Sequence, residues 1–317
     1  MNGALKTNRS FAPRRKRLGY GKAFKLGRHQ NDEGVKKAMC LEDDCSDGPS
    51  GRRSFLRGAT ATVATLAVLG SRSGHAQTPP PPTRVLDDPK IQHGRVMFKH
   101  NGTDSIGGFL ARPKAEGVYP GVLVIAGNKI TEEYIPNTCA ALAVAGFVGL
   151  APNVFHPLPD DAPRNDYDKY IKNHTELDVL DDVQAGASYL RTQTFVAPGG
   201  LGVIGFCFGG RMAMLYGARS REIDAVVPFH PAPMKAPELK RLTVPVQIHH
   251  GTADGAVSVK ESQNTESILK AQRTPVELFT YEGADHGFLA YTRPYYKPEY
   301  AQLAWARTIQ FLQKYLK

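Results

Sequence analysis

Cysteine and tryptophan are scarce in this 317-residue chain, at four and one. So few thiols cannot supply the framework of a disulfide-stapled domain, and stability must come from a hydrophobic core. No CxxC pair and no zinc-type His/Cys spacing occurs, so no metal site is expected. No glycine-rich phosphate loop stands out and no internal repeat is visible, so no cofactor is expected either. No apolar run is long enough to span a bilayer. Charge of one sign is also missing where it would matter. The formal net charge of +10 invites a nucleic-acid reading. Residues 77–317, however, hold 25 Lys/Arg against 24 Asp/Glu, whereas residues 1–38 hold 11 against 2 and residues 39–76 hold 4 against 4. The body of the chain therefore carries no basic stripe for phosphates, and no nucleic-acid partner is expected.

The first quarter of the chain reads as an address rather than a fold. "GRRSFLRGATATVATLAVLGSRSGHAQ" (51–77) has twin arginines, Arg52 and Arg53, and an apolar stretch from Ala59 to Gly70. Gly74 and Ala76, either side of His75, offer small residues at the cleavage positions, and "TPPPPT" (78–83) makes a spacer. This resembles a twin-arginine export signal. The competing readings are an uncleaved membrane anchor and an ordinary short helix. The expected organisation is a basic extension over 1–50, with translation starting at Met39, and a signal peptide over 51–77. A Pro-rich linker over 78–93 and a folded catalytic domain over 94–317 complete it. The product would be periplasmic or secreted, with no stable membrane insertion after cleavage. Cleavage removes Cys40 and Cys45 and leaves Cys139 and Cys207. The sequence gives no oligomeric state.

Beyond the linker, strands and helices alternate. "GRVMFKHNGTDSIGGFLARP" (94–113) predicts two strands around the Asn101-Gly102 turn. "YPGVLVIAG" (119–127) is a continuous apolar run of the kind found in a parallel strand covered on both faces. Ile135, Cys139, Leu142 and Ala143 recur at helical spacing, with Cys139 on the apolar face as core, before a strand at "FVGLAP". Thr175 and Asp178 open a helix with Leu177, Leu180, Val183, Ala187 and Leu190 on one face. "IDAVVPF" (223–229) is another strand, and Trp305, Ile309 and Leu312 line a last helix. This alternation predicts an α/β fold with a mostly parallel central sheet and helices on both faces.

One short stretch carries chemistry. In "GVIGFCFGG" (202–210), an apolar strand meets a helix within two residues, and glycines surround a single thiol. The pattern is the Gly-x-nucleophile-x-Gly elbow of α/β-hydrolases, with Cys207 in the nucleophile slot. A helix N-terminus behind a thiol favours the thiolate. The bland alternative is a small core cysteine in a glycine-rich turn. Downstream, "VPVQIHHGTAD" (244–254) and "PVELFTYEGADHGF" (275–288) each read as a strand followed by a polar loop, carrying Asp254 and His286. Nucleophile, acid and histidine thus occur in the order this elbow requires. His249 and His250 compete as base but fall inside the strand. Asp285 competes as acid but adjoins His286.

At "GVIGFCFGGRMAML", "HHGTADGAV" and "GADHGF" the chain resembles the dienelactone hydrolase family, with weaker matches at 179–190 and 304–316. The resemblance runs from about Arg95 to the C-terminus. It implies the α/β-hydrolase fold, Cys207 as nucleophile, Asp254 as acid and His286 as base. It also implies an oxyanion hole from the backbone N–H groups of Asn128 and Phe208. Two departures are visible. The family glutamate after the third strand falls at Gly127, with Glu132 and Glu133 a turn later. The family's carboxylate-binding arginines fall at Pro157 and Ala290, leaving His156 and Arg293 as the nearest cationic candidates for substrate binding. The expected activity is cleavage of a small ester or lactone. The alternatives are a broader carboxylesterase or thioesterase on the same three residues, and a catalytically silent binding protein that kept the fold.

Overall fold

The computed structural model describes residues 83–100, 102, 104–127, 131–159 and 162–316. Residues 1–77, read above as a basic extension and an export signal, and Asn128 lie outside the described residues.

Eight strands form one sheet in the order β1-β2-β4-β3-β5-β6-β7-β8. β1 (Ile91–His100) and β2 (Asp104–Pro113) make an antiparallel hairpin in unbroken register, Ile91 opposite Pro113 and His100 opposite Asp104. Gly102 makes the turn at φ +80°. β1 thus begins three residues before the 94–113 reading. The segment ahead of it is docked, since the amide of Val85 donates to Asn137 at 2.7 Å.

The remaining strands are parallel to one another: β3 (Gly121–Ile125), β4 (Val148–Pro152), β5 (Leu201–Phe206), β6 (Ile223–Phe229), β7 (Val246–Gly251) and β8 (Val276–Tyr281). β3, β4, β5 and β7 are buried at every position. That explains their continuous apolar sequences, because helices cover both faces. The helices are α1 (Tyr134–Val144), α2 (Arg164–Asn173), α3 (Glu176–Arg191), α4 (Phe208–Gly217), α5 (Ala236–Leu239), α6 (Val259–Ala271) and α7 (Pro298–Tyr315). Two apolar cores result, one on each side of the sheet. Cys139 is buried in the second of them, where burial pushes its thiol far up.

α3 begins with the capping box read from Thr175 and Asp178, each side chain serving the other's backbone N–H. Leu180, Val183, Ala187 and Leu190 are buried as expected, but Leu177 is exposed. It occupies the first turn of the helix, beside the exposed Thr175 and Asp178 of the capping box. Three helices go beyond the sequence expectation, α2, α5 and α6; α2, "RNDYDKYIKN", is too polar to show an apolar stripe. No described helix is long and apolar enough to cross a membrane.

Candidate active site

β5 ends at Phe206 and α4 begins at Phe208, so Cys207 alone makes the turn. Its backbone sits at φ +52°, ψ −115°, a conformation that stores roughly 1–3 kcal/mol in a non-glycine residue. The surroundings hold it there. Its N–H donates to the carbonyl of Phe229 at 3.0 Å, and its own carbonyl accepts from the amides of Arg211 and Ala232 at 3.1 Å. A Cβ on Gly205 would collide with the carbonyl of Gly209, and one on Gly209 with the carbonyls of Ile125 and Ala126. The turn closes only because those side chains are absent. The thiol is fully buried beside Ala232 and Val257, at the head of α4. There the leading N–H groups, Phe208's among them, have no carbonyl partner within the helix.

Asp254 lies just past β7 and His286 just past β8. Parallel strands deliver such residues to one edge of the sheet, where open α/β folds assemble their sites. Oδ1 of Asp254 accepts the amides of Ala256 and Val257 at 2.8 and 2.7 Å. Its Oδ2 is 2.8 Å from Nδ1 of His286 and 3.2 Å from Nε2 of His250. Burial pushes the Asp254 carboxyl up, but the hydrogen bonds from His250 and His286 prevail and hold it well below the usual carboxylate range. The carboxylate is therefore charged and accepts a proton-bearing Nδ1, which leaves Nε2 of His286 as the basic nitrogen. A ring nitrogen of His286 lies within 4.8 Å of the Cys207 sulfur.

A residue that sequence reasoning missed completes this cluster. His230 directly follows β6 at φ +35°. Its ring centroid is 4.1 Å from that of His286, and one of its nitrogens lies within 4.8 Å of both the Cys207 sulfur and His286. Burial, and then the neighbouring His286, push His230 well below the usual histidine range, so it stays neutral. Its Nδ1 is buried without a hydrogen-bond partner. The buried Arg211 steadies the segment beyond it, bonding the carbonyl of Pro233 and, at 2.7 Å, Glu176 at the start of α3. A thiolate with two imidazoles could also hold a borderline divalent cation.

Phe206, His230, Tyr134, Ala290, Arg293 and Tyr295 line a narrow cleft beside this cluster. Of the two cationic candidates, Arg293 is at the cleft and His156 is not among its lining residues. Nη2 of Arg293 is 2.8 Å from Glu132, with both side chains largely buried. Glu133 turns outward to Arg84 and Tyr291. The His156 ring instead lies 3.4 Å from Asp104, in a group with His100 and Asp182. Burial, and then Asp181 and Asp178, push the Asp182 carboxyl up to about 8. The competing bases separate cleanly, because adjacent strand residues face opposite sides. His250 stands behind Asp254, bonded to Ser262 and the carbonyl of Val257 at 2.7 and 2.9 Å. His249 points into the opposite core. Asp285 caps amides of its own and the facing loop, those of His286 and Gly255.

A mostly parallel sheet with a strained thiol at the strand–helix elbow, and a bonded Asp–His pair on later loops, defines an α/β-hydrolase. Residues 106–316 match the dienelactone hydrolase family profile. The chain belongs to that family and is a hydrolase of ester or lactone bonds. It is 30% identical over 234 residues to a Synechocystis protein provisionally named carboxymethylenebutenolidase, covering 67% of this chain and 93% of that one. It is also 30% identical over 223 residues to a Bradyrhizobium protein provisionally named 2-oxo-3-(5-oxofuran-2-ylidene)propanoate lactonase, covering 66% and 89%. A solved structure from Klebsiella pneumoniae, provisionally assigned as a dienelactone hydrolase, superimposes with a TM-score of 0.64 at 25% identity, covering 71% of this chain and 99% of that one.

Proposed function

We propose that this chain cleaves small esters or lactones through a covalent thioester on Cys207, with His286 as base and Asp254 as its orienting acid. The observation that carries this reading is the 2.8 Å Asp254–His286 bond beside a thiol at the head of α4. His286 takes the thiol proton or holds the thiolate as an ion pair. The sulfur attacks the acyl carbon, and the amide of Phe208 stabilises the oxyanion, with that of Asn128 as the second donor that the family resemblance implies. His286 then protonates the leaving oxygen, and water attacks the thioester in the second half-reaction. A thiol-directed acylating label should modify Cys207 stoichiometrically. A fold kept only for binding need not react.

Within that class the cleft favours neutral substrates. Neither Pro157 nor Ala290 supplies an arginine, and Arg293 is already paired with Glu132. A bidentate arginine–carboxylate contact is typically worth about 1.5–3 kcal/mol, roughly one to two decades in kcat/KM. A neutral aryl acetate should therefore compete well with a carboxylated dienelactone of similar reactivity, at low and high salt. A preference for the dienelactone above about a hundredfold that collapses with salt would show that the carboxylate is held after all.

We further propose that the chain is exported by a twin-arginine route, a reading that rests on residues 51–77 of the sequence. Replacing Arg52 and Arg53 with lysine should trap the enzyme in the cytoplasm, since the pair is a receptor-read address. Fractionation that still finds mature-size product outside the inner membrane would count against it.

A further inference from the structure

We propose that His100, His156 and Asp182 form a structural site for a zinc-type divalent cation, distinct from the Cys207 cleft and clamping the β1–β2 hairpin to α3. The proposal does not depend on the esterase reading. His100 ends β1, His156 follows β4 and Asp182 lies on α3, so three separate elements converge. One donor atom from each lies within 4.8 Å of the other two. Nε2 of His100 is 3.7 Å from Oδ1 of Asp182. Ligand atoms around a tetrahedral zinc stand about 3.4 Å apart, given bonds of about 2.1 Å. The group is therefore close to the size required, and a contraction of about an ångström would close it.

A second observation points the same way. Asp182 is 2% exposed, yet its Oδ2 has no hydrogen-bond partner. A buried carboxyl oxygen without a hydrogen-bond partner is costly, and a cation that displaces the carboxyl proton would satisfy it. The donor chemistry selects the ion. Two imidazoles with a carboxylate suit zinc and its neighbours, whereas calcium and magnesium prefer oxygen throughout. Water, or the exposed carboxylate of Asp104 beside the His156 ring, completes the tetrahedron. The effect would reach the active site only through packing. Phe155, adjacent to His156, stacks on Phe208 with ring centroids 6.0 Å apart, so the clamp braces the wall behind Cys207 without adding a reacting group.

The test uses the full chain carrying Cys207→Ala, which removes the thiol of the other potential donor set, and zinc itself as the probe. Calorimetric titration should give one zinc per chain and a raised thermal midpoint. His100→Gln and Asp182→Asn should each weaken binding at least about tenfold and abolish the midpoint shift. Cobalt(II) reads the site without those substitutions, and should give the intense visible bands of a four-coordinate nitrogen–oxygen site. The proposal fails if the Cys207→Ala chain takes up no zinc, if both substitutions leave its affinity unchanged, or if cobalt gives only a weak six-coordinate spectrum.

Discussion

Replacing Cys207 with alanine should lower kcat on an activated ester by on the order of 10³-fold or more, with the fold intact. The two halves of that expectation have separate causes. The rate falls because no other described side chain places a nucleophile at the head of α4. The fold survives because the elbow is held by backbone bonds, from Cys207 to Phe229, Arg211 and Ala232, and by the glycines at 205 and 209, none of which uses the sulfur. Loss of one buried sulfur atom costs about 1 kcal/mol, as for other small core truncations. Steady-state kinetics together with a thermal melt separates the two effects. Retention of more than about a tenth of the wild-type rate would remove Cys207 from the nucleophile role. Cys207→Ser should also be poor, because a hydroxyl must be deprotonated by a stronger base than a thiol requires. The helix end that favours a thiolate does less for an alkoxide of much higher pKa.

The strand–helix elbow was legible because its constraint is local: glycines on both sides of one polar atom report a close backbone approach directly. That Asp254 and His286 meet was legible through a rule of position, since each lies in the loop a few residues past an apolar strand. The same rule applied to "IDAVVPF" would have found His230, the next residue after β6. His156 was a candidate only as the nearest cation to Pro157, where the resemblance puts an arginine, and nearness in sequence does not say which way its ring turns. The partners that turn it, Asp104 and Asp182, lie on other elements. The Glu132–Arg293 pair has the same character. It joins the loop before α1 to the loop after β8, and no spacing in the sequence connects them. Charge pairs and donor clusters across elements are products of packing, whereas elbows and caps are products of neighbouring residues.

His286→Ala should cost nearly as much as loss of the thiol, on the order of 10³-fold in kcat, and Asp254→Asn somewhat less, because groups that act as one unit are not additive. The geometry sets this order. His286 moves the proton, whereas Asp254 orients its ring through Nδ1 at 2.8 Å and stabilises the imidazolium. An asparagine can still hold the ring but supplies no charge, and can present its amide rather than its carbonyl. The neighbouring histidines provide the control. His249 bonds the Tyr281 hydroxyl at 2.7 Å and stacks on Phe229 at 4.6 Å. Burial and then Arg307 push it down to about 3, so it is a neutral core residue. His249→Ala should therefore cost stability, on the order of 2 kcal/mol for its buried polar partners, while the folded fraction turns over normally. His250→Ala should give an intermediate loss, because that ring steadies Asp254 from behind without facing the thiol. Rates normalised to folded protein, with added imidazole as a rescue for His286→Ala, distinguish these roles. A larger normalised loss in His249→Ala or His250→Ala than in His286→Ala would overturn the assignment of the base. Rescue by imidazole of His286→Ala alone would fix the proton transfer at that residue.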